Sequence, residues 1–218
     1  FAFLPESWGG ANPYLDPRAV AAQSAFIAAF VRRMRNVHWL IWDLINEPSF
    51  CSPSRLWQCR PNYDAWEEQA WRAWLTARHG NGNPEQLQRV LGDLWRSDTG
   101  EYGALPRLDE FEDAHLFSDR RPLKAMEYRL FAQQAFTDWA LALRAVIAET
   151  GGGAQLVMVG QDEGGTMDRP SPMFFAPAVD IGSIHNWWFN DDILWDSIVT
   201  RAPCKAHLVQ ESGVMMYE

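Results

Sequence analysis

A parallel α/β fold is predicted by three observations. Short apolar runs recur at 37–45, 155–160, 179–185 and 206–210. Segments with helical spacing separate them, and every run ends in a group of polar and aromatic residues.

The first helix runs from Asp16-Pro17 to about Asn36. Val20, Phe26, Ile27, Phe30, Val31 and Met34 recur at helical spacing, and Asp16 before Pro17 is an N-terminal signal. Next comes the run Val37 to Ile45, which ends in Asn46-Glu47-Pro48. It is short, nearly continuous in apolar residues, and predicts a strand buried on both faces. A long polar and aromatic stretch, 49–122, interrupts the rhythm. Helices are predicted there near Tyr63 to Arg78 and Pro84 to Trp95, and the stretch is read as an insertion decorating one face. Leu123 to Thr150 is a long amphipathic helix closed by Gly151-Gly152-Gly153. Strands follow at 155–160, 179–185 and 206–210, with a short helix near Asp192 to Thr200 before the last.

Composition sets the class. The chain has 218 residues, 47% hydrophobic and 22% charged, which suits one globular domain spanning 1–218. Its net charge of −9 has the wrong sign for a phosphate-neutralising surface, so no nucleic-acid partner is expected. No run approaches the roughly 18 apolar residues that span a bilayer, so a soluble protein is expected, cytoplasmic or secreted. Cys51 and Cys59 could bridge in an oxidising compartment, with free thiols as the default, and Cys204 stands apart. Twelve Trp exceed what core packing normally demands, and indole faces are common platforms for sugar rings. Trp66, Trp71 and Trp74, at helical spacing, are read as packing residues instead.

Active sites of parallel barrels and open α/β sheets are built at the carboxyl ends of strands. Four such ends occur here: Asn46-Glu47-Pro48, Gln161-Asp162-Glu163, His185-Asn186-Trp187-Trp188 and Glu211-Ser212-Gly213. A single Glu after a strand is commonly a cap or a surface residue. Two of them, Glu47 and Glu211, form the pair that glycoside hydrolysis requires, one to protonate the leaving oxygen and one to attack or to activate water. No Gly-x-Ser-x-Gly elbow, P-loop, dinucleotide fingerprint or His-Glu-x-x-His site occurs, and the five His lack metal-ligand spacing; neither metal nor cofactor is expected.

Trp42-Asp43-Leu44-Ile45-Asn46-Glu47-Pro48 resembles the fourth-strand ending of clan A glycoside hydrolases, the retaining (β/α)8-barrel enzymes that include cellulases, β-mannanases and β-galactosidases. The resemblance implies an incomplete (β/α)8 TIM barrel, roughly its third to seventh strands, with a helical insertion at 49–122 after the fourth strand, within a longer polypeptide. It implies hydrolysis of β-linked O-glycosides by double displacement, with Glu47 as general acid/base and Glu211 as nucleophile. Asn46 would contact the sugar 2-hydroxyl. Ile184-His185-Asn186-Trp187 is similar to the family's sixth-strand ending, where a Tyr usually stands at the position of Trp187; Trp187 can offer the nucleophile only its indole N–H, and Tyr217 or another residue would substitute as donor. Trp8 resembles part of the loop after the third strand and would join the cleft. Asp162 and Glu163 would bond sugar hydroxyls or pair with a neighbouring Arg. The partner implied is a carbohydrate, with oligomeric state left open. A non-catalytic carbohydrate-binding or vestigial barrel is the alternative.

Overall fold

The computed structural model describes residues 10–50, 59–95, 103–111, 121–161, 169–186, 197–198 and 201–213. Among these residues the element order is α1 (Pro17–Met34), β1 (Ile41–Asn46), α2 (Ala65–His79), α3 (Pro84–Trp95), α4 (Arg121–Ile147), β2 (Leu156–Gly160), α5 (Pro172–Phe175), β3 (Ile181–Asn186) and β4 (Ala206–Ser212). This is a mixed α/β architecture.

The strands form two parallel pairs, β1 with β2 and β3 with β4. Backbone bonds link the two pairs at each end: Asp180 donates to Val157 O at 2.7 Å and His185 donates to Gln161 O at 2.7 Å. The Ser183 hydroxyl bridges the middle by donating to Val159 O at 2.5 Å. No closed barrel is present among the described residues.

Local chemistry explains the helix ends. The Asp16 carboxylate accepts from Arg18 N, and Pro17 opens α1. At its other end, Gln155 donates to the carbonyls of Met34 and Val37 at 2.9 and 2.8 Å, while accepting from Trp42 Nε1 at 2.8 Å. One side chain ahead of β2 thus satisfies orphan carbonyls at the exit of α1 and ties them to β1. Asp64 caps α2 by accepting from Trp66 N and Glu67 N. After α4 comes one π-helical turn, Ala148–Gly152, in which Gly151 takes φ +111°, a region that L side chains rarely adopt.

The core lies between the strands and the helical layer. α4 supplies Tyr128, Phe131, Phe136, Trp139 and Leu143, which meet Ile27 and Val31 of α1, Trp71 and Leu75 of α2, and Val157 and Val159 of β2. Trp71 stacks on Trp74 at 5.6 Å and meets Phe131 and Tyr128 edge-on, so these two indoles pack as expected. Trp66 does not: it is 37% exposed.

Three sequence expectations change. The first strand begins at Ile41; the Val37 N–H bonds back to Met34 O, which makes 37–40 the exit of α1, and Trp39 stands in solvent. β1 is also not buried on both faces, since Leu44 is its one fully buried residue; it pairs on one side with β2 and has no second strand partner among the described residues. On α1, Phe26 and Phe30 stack on each other at 5.7 Å, half exposed, while Ala19, Gln23, Ile27 and Val31 form the buried face. Gln23 belongs inside because it accepts from Trp139 Nε1 at 2.7 Å and donates to Pro13 O at 3.3 Å.

The described part of the 49–122 stretch packs on the N-terminal half of α4. Glu67 accepts from Tyr128, and His79 and Arg78 meet Glu127. The opposite end of α4 lies at the amino end of β3, where Arg144 pairs with Asp180 at 2.6 Å. The helix expected near 192–200 falls outside the described residues except for Ser197 and Ile198, which are helical. No described helix is long and apolar enough to cross a membrane. Cys59 is buried; Cys51, its candidate partner, lies outside the described residues.

Candidate active site

The carboxyl ends of β1, β3 and β4 carry the site, and two β-bulges shape it. Between β1 and β2 the register shifts after Asp43↔Met158, and pairing resumes at Asn46↔Gly160. The Asp43 carboxylate fills the gap: Oδ1 accepts from Gly160 N at 2.8 Å and from Ile45 N at 3.3 Å. Strict alternation would put Asp43 and Asn46 on opposite faces, yet both side chains crowd the space above Gly160. A Cβ there would lie 2.7 Å from Asp43 Oδ2 and 3.3 Å from Asn46 Oδ1. The chain then turns at Glu47, which takes φ +46° and donates its N–H to Gly160 O at 2.7 Å. Such left-handed backbone at a non-glycine residue is uncommon, and Tyr63, Asn81 and Cys204 share it elsewhere in the chain.

The second bulge is in β4. Ile184 faces Val209 and His185 faces Glu211, so Gln210 is the extra residue. Gln210 and Glu211 thereby both reach the His185 ring, which pure alternation forbids.

His185 is the hub. Its side chain is fully buried, and its Nδ1 lies 3.0 Å from Glu47 Oε1 and 3.6 Å from Glu211 Oε2. On the other edge, Nε2 lies 3.3 Å from Gln210 Oε1. Gln210 in turn donates from Nε2 to Asp43 Oδ2 at 2.8 Å. Burial pushes the Asp43 carboxyl up from the ordinary carboxylate range, opposed chiefly by the Gln210 amide and the Gly160 and Ile45 N–H groups. Donor atoms of Glu47, His185 and Glu211 all lie within 4.8 Å of one another, with the two carboxylates partly exposed. That grouping would also fit around a metal ion, but convergent carboxylates are common without one, and no metal role is assigned to them.

Of the expected site residues, Glu47, Glu211 and His185 converge. Asn46 is exposed at the end of β1, its side chain above Gly160. Trp8, Asp162, Glu163, Trp187 and Tyr217 lie outside the described residues. Asp43, Gln210 and Gly160 were not foreseen. Asp43 had a signal: a lone charge inside the apolar run Val37 to Ile45 must find buried partners. A pocket lined by Arg201, Lys205 and His207 lies at the amino end of β4, away from the glutamates.

The fold has solved counterparts. It is similar to a β-galactosidase from the psychrophilic Marinomonas ef1, with a TM-score of 0.58 and 12% identity, covering 79% of this chain and 24% of that one. It is also similar to an exo-β-agarase, with a TM-score of 0.50 and 14% identity, covering 80% of this chain and 23% of that one. The chain therefore spans about a quarter of the length of these two glycoside hydrolases. No family model matches the chain, and no curated protein matches it in sequence.

Proposed function

We propose that the chain carries the catalytic pair of a retaining glycoside hydrolase of the clan A type, acting on β-linked sugars from the carboxyl-end face of a partial (β/α)8 barrel. One observation carries this reading: carboxylate oxygens of Glu47 and Glu211, from the ends of two parallel strands, lie within 4.8 Å of each other. Retaining enzymes hold their carboxyl groups about 5–5.5 Å apart, whereas inverting enzymes leave roughly 6.5–9.5 Å for a water. The likeness in fold to a β-galactosidase and an exo-β-agarase supports a β-linked carbohydrate as substrate.

In this mechanism ionised Glu211 attacks the anomeric carbon while protonated Glu47 gives its proton to the departing oxygen. Glu47 then takes a proton from the water that releases the sugar from Glu211. Asn46 bonds the sugar 2-hydroxyl, and His185 holds the Glu47 carboxyl in place. Trp187, Trp8, Asp162 and Glu163, outside the described residues, are expected from the sequence to complete the sugar subsites, with pairing to a neighbouring Arg as the other reading of Asp162 and Glu163.

The test is Glu47→Ala with an aryl β-glycoside whose phenolate leaves without protonation. The first step should survive, breakdown of the intermediate should slow about 10²–10⁴-fold, and azide should restore turnover with a β-configured glycosyl azide. An α-configured product, or loss of turnover that azide does not restore, contradicts the assignment. Sugar binding by the native protein without release of product would favour the non-catalytic carbohydrate-binding alternative.

A further inference from the structure

We infer that Asp43 and Gln210 are positioning residues that lock His185 as its Nε2–H tautomer, leaving the Nδ1 lone pair to hold the proton of Glu47. The catalytic consequence rests on the glycosidase reading; the hydrogen-bond polarity does not.

The argument starts at Asp43. Its Oδ1 accepts two backbone N–H groups, from Gly160 and Ile45, so that oxygen carries no hydrogen, and the relay takes Asp43 as the ionised carboxylate, whose Oδ2 accepts as well. Gln210, 2.8 Å from Oδ2, must therefore present its amide nitrogen there. An amide that turns its nitrogen one way turns its oxygen the other, and Oε1 lies 3.3 Å from His185 Nε2. A carbonyl oxygen can only accept, so the imidazole hydrogen belongs on Nε2.

Neutral His185 then has its lone pair on Nδ1, aimed at Glu47 Oε1 at 3.0 Å and toward Glu211 Oε2 at 3.6 Å. A lone pair and two bare carboxylates would repel one another. One hydrogen between Nδ1 and Glu47 removes the repulsion, and on Glu47 it is the hydrogen the leaving oxygen needs. Glu211, farther from the ring, stays ionised. In the first step the bond from the anomeric carbon to the leaving oxygen breaks, that oxygen takes the Glu47 hydrogen, and Glu211 bonds to the carbon. In the second step the water oxygen replaces Glu211 on that carbon, and the water hydrogen returns to Glu47 beside Nδ1.

The fold makes room for this relay. The bulge in β4 brings Gln210 to the ring. Gly160 leaves the space beneath, since a Cβ there would lie 3.2 Å from Gln210 Oε1 and 2.7 Å from Asp43 Oδ2.

The variant Asp43→Asn tests the relay at nearly constant shape. The introduced amide must keep its oxygen toward Gly160 and Ile45, so its nitrogen faces Gln210. Gln210 then turns its oxygen to that amide and its nitrogen to His185, and the ring hydrogen moves to Nδ1. Nitrogen-15 NMR of the imidazole should show Nε2–H in the native protein and Nδ1–H in the variant. The variant should also lose on the order of 10²-fold in kcat for a sugar leaving group, with little loss for a dinitrophenyl leaving group that needs no acid. A native ring carrying its hydrogen on Nδ1 or on both nitrogens, an unchanged tautomer in the variant, or equal losses with both leaving groups would overturn the relay. If the variant fails to fold, the native spectrum alone decides. If the tautomer inverts but the native protein cleaves no β-glycoside, the relay stands and the glycosidase reading fails.

Discussion

Glu47 and Glu211, from different strand pairs, bring carboxylate oxygens within 4.8 Å of each other beside the buried ring of His185. Among the described residues the backbone bonds between the two pairs run from β2 to β3, while Gln210 to Asp43 and His185 to Glu47 link them through side chains, so this approach leans on Gly160 and Gln161 at the end of β2. Glu47 N bonds to Gly160 O, and His185 N bonds to Gln161 O, both at 2.7 Å. The end of β2 is the joint that sets the distance between the carboxylates.

Gly160→Ala tests that joint. Its Cβ would enter within 2.7 Å of the Asp43 carboxylate, with Gln210 and Asn46 close by. Overpacking should cost about 1–3 kcal/mol, read by chemical denaturation, together with a loss of activity greater than the loss of stability explains. Gly103→Ala is the control, because its Cβ would meet only the Arg72 side chain at 3.5 Å; a change within about 0.5 kcal/mol is expected.

Glu67 gives a prediction in pH. It is fully buried, and burial holds its carboxyl above the ordinary range despite bonds from Tyr128, Tyr63 and Asn62. A raised folded-state pKa means that the folded protein binds this proton more tightly than the unfolded chain. That contribution is full below the unfolded value near 4.5 and is lost as pH rises through the folded one. The stability of the native protein relative to Glu67→Gln should therefore be greatest near pH 4 and shrink toward pH 7. The variant should be destabilised by about 1–3 kcal/mol at acid pH, because its amide sets one donor against another. A difference that grows with pH would contradict this account.

The indoles of α2 should separate by role. Trp71→Ala removes a buried ring that contacts Trp74, Tyr128 and Phe131 and donates to Ala104 O at 3.2 Å, and it should cost about 3–5 kcal/mol. Trp66→Ala, at a partly exposed position, should stay within about 1 kcal/mol. Denaturant midpoints at matched slope would measure both, and equal losses would contradict the packing described here.

Apolar runs made all four strands legible in the sequence, β1 with its start set too early, and helical spacing made α1 to α4 legible, because α4 and β2 are core elements whose patterns follow burial. It failed where other forces decide. Val37 and Leu40 are apolar but belong to the turn leaving α1, held there by Gln155 from far along the chain. Phe26 and Phe30 fit the helical period, yet the inward position went to Gln23 because Trp139 offers it a partner. α5 is only four residues long, too short for a helical period, and Ser171-Pro172, a cap followed by a first-turn proline, is its one local signal. In the site, Glu47, His185 and Glu211 were readable as strand-end residues. Asp43 shows in the sequence only as a lone charge in an apolar run; its place in the site and that of Gln210 come from bulges that break alternation, and a bulge leaves no reliable mark in composition.

The most direct measurement is covalent trapping. The native protein, incubated with a 2-deoxy-2-fluoro β-glycoside bearing an activated leaving group, should gain the mass of one fluoroglycosyl unit, and peptide mapping should place it on Glu211. Glu211→Gln should gain none. An adduct on a different carboxylate, continued labelling of the Glu211 variant, or turnover of β-glycosides with inverted products and no adduct would contradict a double displacement by Glu47 and Glu211.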